Sequence, residues 1–272
     1  ALLPQINDEE IIQNILIVAA ISYLELEEYG LALRYSEELL SMELPSRTMC
    51  IARQVNSEAA LHENIIDIND EQLLLAIAVC EKENEHLWAG LLHVLIANKY
   101  YELGDARASI QYLLPHISKI KNTKYPRLVT EAYSVLASAY FEINKLEIAR
   151  NYAFQVLESK GFIEATYGIV NAYKTLALIE KQLGNFESSF SYHELYANTD
   201  RKYIDNVKAK AFAVQLAKHV SLEQKNKIEL LHKENALLAS EAKLVQIEAE
   251  NSRLMSIMAA SIAVLISFFG FR

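Results

Sequence analysis

Residues 133–149 read YSVLASAYFEINKLEIA, and the same pattern recurs once before and once after, at equal spacing. Residues 93–109 read HVLIANKYYELGDARAS, and residues 173–189 read YKTLALIEKQLGNFESS. Each begins on a large residue (His93, Tyr133, Tyr173), followed by an aliphatic beside an alanine (Ile96-Ala97, Leu136-Ala137, Leu176-Ala177). One turn on stands Tyr100, Tyr140 or Glu180, then Gly104, Asn144 or Gly184, then a second small residue, Ser109, Ala149 or Ser189. Apolar residues at helical spacing predict amphipathic helices. Gly and Asn accept the left-handed backbone conformation that ends a helix, and small residues let neighbouring helices approach closely. The repeating unit is therefore a helical hairpin. Leu16-x2-Ala19-Ala20-x2-Tyr23, with Ala32 beyond it, matches the same template near the N-terminus.

Ahead of residue 93 the spacing predicts helices over residues 8–26, 30–42, 46–64 and 70–83. Asn7 or Asp8 can cap the first, with Glu9 and Glu10 in its first turn; Pro45 ends the second; Asn69 or Asp70 can cap the fourth. The stretch 46–83 fits the template poorly. Four prolines and seven glycines in 272 residues, with 52% hydrophobic residues, point to an all-α protein. Residues 1–200 carry 15 Lys and Arg against 28 Asp and Glu, a net of −13, whereas residues 201–272 carry 11 against 7, a net of +4. An acidic body repels phosphates and excludes nucleic acid as a partner. The scattered basic charges beyond it read as a solvated helix face. Ala1-Leu2-Leu3-Pro4 lacks the charged and apolar regions of a secretory signal.

From Thr199 onward no proline or glycine interrupts the chain until Gly270, which predicts one long helix. Read in sevens, Ile228, Asn235, Ala242 and Ala249 fall at a, and Leu231, Leu238 and Val245 at d. An apolar seam with one Asn at a favours two parallel strands in fixed register, so these seven residues are the expected homodimer seam over 201–253. Facing e and g charges are mostly unpaired, and Leu230, Leu237 and Leu244 form a second seven-spaced row that can cover a neighbouring helix instead. From Leu254 to Phe271 the chain carries no charge, a run read here as a single transmembrane helix within residues 254–272. Small residues at its seam would let two such helices meet in lipid. Lys243 and Arg253 on one side and Arg272 on the other leave its orientation open.

Chemistry is sparse. No phosphate-cradling glycine loop, HExxH motif or nucleophile elbow occurs, so no catalytic set and no cofactor is expected. The seven histidines, His62, His86, His93, His116, His193, His219 and His232, are scattered; His86 and His93 can share a helix face, but two residues make no metal site. They read as surface or core residues. If 46–64 and 70–83 form an antiparallel hairpin turning near Ile66, Cys50 and Cys80 come close together. They form either a disulfide, in an oxidising compartment, or two buried free thiols, the plainer reading.

The repeated template resembles the tetratricopeptide (TPR) family, whose unit is a helix–turn–helix of about 34 residues with small residues at these points. The resemblance covers about residues 8–200, a TPR-like α-solenoid of four to five hairpins, with longer helices than that family's. It implies a concave surface lined by the first helix of each repeat. Carried onto this chain, the groove positions are Asn98, Tyr101 and Glu102; Glu131, Ser138, Phe141 and Glu142; and Asn171, Lys174 and Lys181. Such a mixture suits an extended peptide, a protein segment or a small polar ligand. With its rod and span the chain also looks like the sensory half of bacterial membrane signalling proteins whose TPR domain is periplasmic and whose output is often a diguanylate cyclase of the GGDEF type. That resemblance implies a dimeric inner-membrane sensor, with any cyclase activity beyond residue 272. The competing expectation is a C-terminally anchored TPR scaffold with no signalling output.

Overall fold

The computed structural model describes residues 8–161 and 165–270, with side chains through Val264. The chain divides into two compact units, Ala1–Ala211 and Phe212–Arg272. In the first, antiparallel hairpins follow one another: α1 (Glu9–Glu25) with α2 (Tyr29–Leu40), α3 (Ser46–His62) with α4 (Glu71–Lys82), and α5 (His86–Glu102) with α6 (Ala106–Leu113). A short 3-10 turn, Leu114–His116, joins α6 to α7 (Ile117–Asn122); then come α8 (Pro126–Glu142), α9 (Leu146–Ser159), α10 (Tyr167–Gln182) and α11 (Phe186–Gly270). No strand occurs among the described residues. The unit is a TPR-like stack of helical hairpins.

The helix ends form where the template puts Gly or Asn. Gly104, Asn144 and Gly184 have φ of 84°, 59° and 81°. At each, the next residue's N–H reaches back to the carbonyl five residues earlier: Asp105 to Tyr100, Lys145 to Tyr140 and Asn185 to Glu180, at 3.0, 2.9 and 2.9 Å. These are Schellman ends, which satisfy carbonyls that a helix terminus leaves bare. Asn64 does the same in the second hairpin, with φ 55° and Ile65 N–H bonded to the Ala60 carbonyl. Asp8, Asp70, Asp105 and Thr166 cap the opposite ends of α1, α4, α6 and α10 by accepting backbone N–H groups.

The small residues sit where helices cross. Ala97, Ala137 and Ala177 are buried, as are Ser109 and Ala149, and the Ser189 hydroxyl donates to the Ala177 carbonyl at 2.8 Å. Gly168 marks a tight approach between α8 and α10: a Cβ there would lie 3.1 Å from the Thr130 carbonyl oxygen. Aromatic pairs repeat with the same period. Tyr100 meets Tyr112 at 5.9 Å between ring centroids, and Tyr140 meets Tyr152 at 5.6 Å. In the next hairpin the first tyrosine is replaced by Glu180, which is 1% exposed and turns instead to Arg150 at 2.8 Å and Asn185. The extra length of the third repeat comes from Pro115: proline cannot continue the hydrogen-bond ladder, so α6 tightens into a 3-10 turn before the chain resumes as α7.

Cys50 and Cys80 are joined in a disulfide, with Cα atoms 4.8 Å apart and both side chains fully buried beside Ala89 and Trp88. It staples the N-terminal turn of α3 to the C-terminal turn of α4.

In the second unit the seam residues Ile228, Leu231, Leu238 and Val245 are 51%, 49%, 55% and 64% exposed. Asn235, Ala242 and Ala249 are exposed with them. The transmembrane reading is corrected here. Among the described residues no helix is long and apolar enough to cross a membrane. Ser256 and Ser261 turn their hydroxyls back to the carbonyls of Ser252 and Ile257 on the same helix. The side chains of 265–270, and residues 271–272 altogether, lie outside the description. The inner-membrane placement, with a periplasmic TPR domain, falls with the span.

Candidate functional site: an acidic groove

Residues of α1, α3, α5 and α8, the first helices of successive hairpins, line a run of neighbouring cavities. One, of about 270 Å³, is bounded by Ile21, Leu24 and Glu25 of α1, Tyr29 of α2, Glu58 and His62 of α3, Leu87, Trp88 and Leu91 of α5, and Arg127 and Glu131 of α8. A second, of about 190 Å³, continues from Glu58, His62 and Glu131 towards Asn98, Ser134, Tyr167 and Gly168. A third, of about 500 Å³, reaches from Arg127 and Glu131 to Tyr203, Asn206 and Lys210 in the first part of α11. Glu131 borders all three.

The charges in this groove do not balance. Glu25, Glu27, Glu58 and Glu131 border the first cavity, against the single cation Arg127. Arg127 Nε contacts Glu131 Oε1 at 3.2 Å, and its Nη1 lies 3.8 Å from Glu25 Oε1. Glu58 has no such partner; it accepts a hydrogen bond from the Gln54 amide, on its own helix. Burial pushes the Glu58 carboxyl up to about 7, the negative Glu131 adds to the rise, and Arg127 and Gln54 oppose it. Burial raises Glu131 too, against the pull of Arg127. His62 is held below the usual histidine range, first by burial and then by Lys99, so it stays neutral at physiological pH. Its ring stacks on Tyr29, 4.4 Å between centroids and 3° from parallel, making one flat wall. The same cavity also has an apolar lining, with Trp88, the only tryptophan of the chain, among Leu87 and Leu91.

The groove positions carried over from the repeat template separate into three groups. Asn98 and Glu131 border the cavities. Tyr101, Ser138 and Asn171 form a polar ladder between helices instead: Asn171 donates to Ser138 and Ser134 at 2.9 and 3.3 Å, and Tyr101 bonds Ser138. Glu102, Glu142, Lys174 and Lys181 are exposed, and Phe141 is half-buried, none of them bordering the three cavities. Glu58, His62, Tyr29, Arg127 and Trp88 were not anticipated. The signal for Glu58 was present: aligning the second hairpin on Asn64 rather than on small residues places Glu58 at the position of Asn98 and Ser138.

Stacked helical hairpins with a concave acidic cleft define the class as a TPR-like repeat fold. No protein-family model and no curated protein matches the chain. Among solved structures, the chain is similar to the apo form of RapI, with 16% sequence identity and a TM-score of 0.49, over 74% of this chain and 87% of that one. The hairpins themselves, rather than that likeness, carry the fold reading. The expected kinship with membrane-bound cyclases has no support in these comparisons.

Proposed function

We propose that this chain is a binding module rather than an enzyme, and that its groove takes a peptide or small ligand presenting a cationic group. The amine or guanidinium sits between Glu58 and Glu131, and the apolar part lies against Leu87, Trp88 and Leu91. The observation that carries this reading is that Glu58 and Glu131 border the same recess while its one arginine, Arg127, pairs with Glu131 and Glu25 and leaves Glu58 without a cation. A ligand cation supplies the missing charge, and charges withdrawn from water are stable only when paired.

The sign of the pH dependence follows. Glu58 keeps its proton up to about pH 7 in the free groove, and a bound cation expels it. Affinity therefore rises by up to about tenfold per pH unit towards neutrality and levels above it. Trp88 is a built-in reporter, because the chain's only tryptophan borders the groove. A tri-lysine peptide is expected to shift that emission, with tri-glutamate inert. Glu58→Gln should weaken tri-lysine binding about tenfold and flatten its dependence on pH near neutrality, leaving only the titration of Glu131 at lower pH. Equal responses to the two peptides, or a Glu58→Gln protein that titrates like the parent, would refute the proposal.

The second unit supports a further part of the proposal: a second copy of the chain pairs along Ile228, Leu231, Asn235, Leu238, Ala242, Val245 and Ala249. Four aliphatic side chains at heptad spacing, each about half exposed or more, favour burial against a like partner. Pairing relays groove occupancy only if the ligand prefers one arrangement of the pair. Leu231→Lys with Leu238→Lys should convert a dimer to a monomer in sedimentation velocity. A monomeric parent chain would remove this part. A dimer whose dissociation constant ignores tri-lysine would make it a passive scaffold.

A further inference from the structure

Away from the groove, three side chains from different elements converge: Glu81 at the end of α4, His93 in the middle of α5, and His116 on the 3-10 turn after α6. Their ligand atoms all lie within 4.8 Å of one another. His93 is 5% exposed. Its Nδ1 lies 3.0 Å from the Tyr112 hydroxyl, while its Nε2 is buried without a hydrogen-bond partner. Glu81 Oε1 lies 3.7 Å from it, beyond hydrogen-bonding reach. If Nδ1–H donates to Tyr112, Nε2 presents a bare lone pair to an anion; in the other tautomer its N–H goes unsatisfied. Buried polar atoms in folded proteins are rarely left so.

We infer that Glu81, His93 and His116 form a binding site for a divalent transition-metal ion of the zinc class. An ion bound at about 2.1 Å to both Nε2 and a Glu81 oxygen would subtend about 125° between them at the observed separation, near tetrahedral. Tyr112 then acts as the outer partner that a ligating histidine needs, accepting from Nδ1–H and fixing the tautomer. His116 supplies the third ligand. Its ring now stacks on His93, 3.6 Å between centroids and 16° from parallel, so an ion in the plane of one ring lies off the plane of the other. Binding requires His116, half-buried on its turn, to rotate out of the stack. Lys119 is the resident competitor: its Nζ sits 3.0 Å from Glu81 Oε1, and the side chain is exposed enough to swing away. The ion takes the place of that ammonium and ties α4 and α5 to the turn that Pro115 creates. The inference is independent of the groove reading.

The test is titration of the full chain, freed of metal by chelator dialysis, with zinc by calorimetry and with cobalt by visible absorption. One equivalent of zinc is expected, with cobalt showing the intense bands of a tetrahedral site. Glu81→Gln and His116→Ala, both at partly exposed positions that should leave the fold intact, are each expected to weaken binding at least tenfold. Lys119→Ala is expected to tighten it several-fold, an effect that non-specific capture by surface histidines would not produce. Absence of binding, binding that survives Glu81→Gln and His116→Ala unchanged, or an unaltered affinity in Lys119→Ala would each overturn the assignment.

Discussion

Arg150→Ala is expected to lower the unfolding free energy by about 3 kcal/mol, because it strands a carboxylate in the core. Glu180 is 1% exposed; one oxygen lies 2.8 Å from Arg150 Nη2, and the other accepts from Asn185 Nδ2 at 2.8 Å. The contact to arginine is ionic rather than a well-aligned hydrogen bond, since that oxygen and Arg150 Nε are otherwise unpartnered. Arg150 is 37% exposed, so solvent already screens part of the attraction. That places the cost at the lower end of what breaking a buried ion pair gives. The repeat itself supplies the control. One repeat earlier the same two places hold Ile110 and Tyr140, which belong to one apolar cluster. Arg150→Ile combined with Glu180→Tyr should therefore recover most of the loss, because an apolar pair avoids the desolvation penalty altogether. Urea unfolding of the two single variants and the double measures the coupling. Additive losses would show that the two residues do not act as a pair.

The same position shows how far the sequence could be read. Gly104, Asn144 and Gly184 announce helix ends because few other residues adopt a positive φ cheaply, and the alanines announce crossings because nothing larger fits. Those signals are local, and the hairpins were legible from them. Glu180 stands where the two earlier repeats have tyrosines, but its partner Arg150 sits on the preceding hairpin, a separation no single-repeat pattern encodes. The groove was partly hidden for a related reason. Glu131 and Asn98 follow from the repeat offset, whereas Glu58 lies in the hairpin whose small residues drift off template, and only Asn64 restores its register. His116 was invisible as a neighbour of His93, since their stacking depends on the break at Pro115 and the phase of the turn that follows. The reading that failed, a membrane span over 254–271, relied on absence of charge over a length. Among the described residues, whose side chains end at Val264, no helix is long and apolar enough to cross a membrane.

Loss of the Cys50–Cys80 bridge is expected to destabilise the chain by about 3.5 kcal/mol, the loop-closure value for a cross-link at a sequence separation of 30. Most of the effect acts on the unfolded chain, which the bridge prevents from exploring conformations with α3 and α4 apart. The hairpin it closes also carries Glu58 and His62 on α3 and Glu81 on α4, so the groove wall and the three-residue cluster both depend on the same staple. Cys50→Ala with Cys80→Ala leaves two small buried side chains beside Ala89 and Trp88; the packing change is minor, and the entropic term dominates. The double variant should unfold at lower urea with a steeper dependence on denaturant, since its unfolded state exposes more surface. The parent chain treated with reductant under unfolding conditions should match it, and thiol titration of the denatured, unreduced chain should find no free cysteine. Two titratable thiols, or a midpoint indifferent to reductant, would mean that the pair packs as free thiols. Disulfides persist only in oxidising surroundings, so reduction acts on the stability of the hairpin that carries Glu58. A reduced chain should accordingly show weaker tri-lysine binding than an oxidised one at temperatures where the α3–α4 hairpin begins to open, and equal binding well below them.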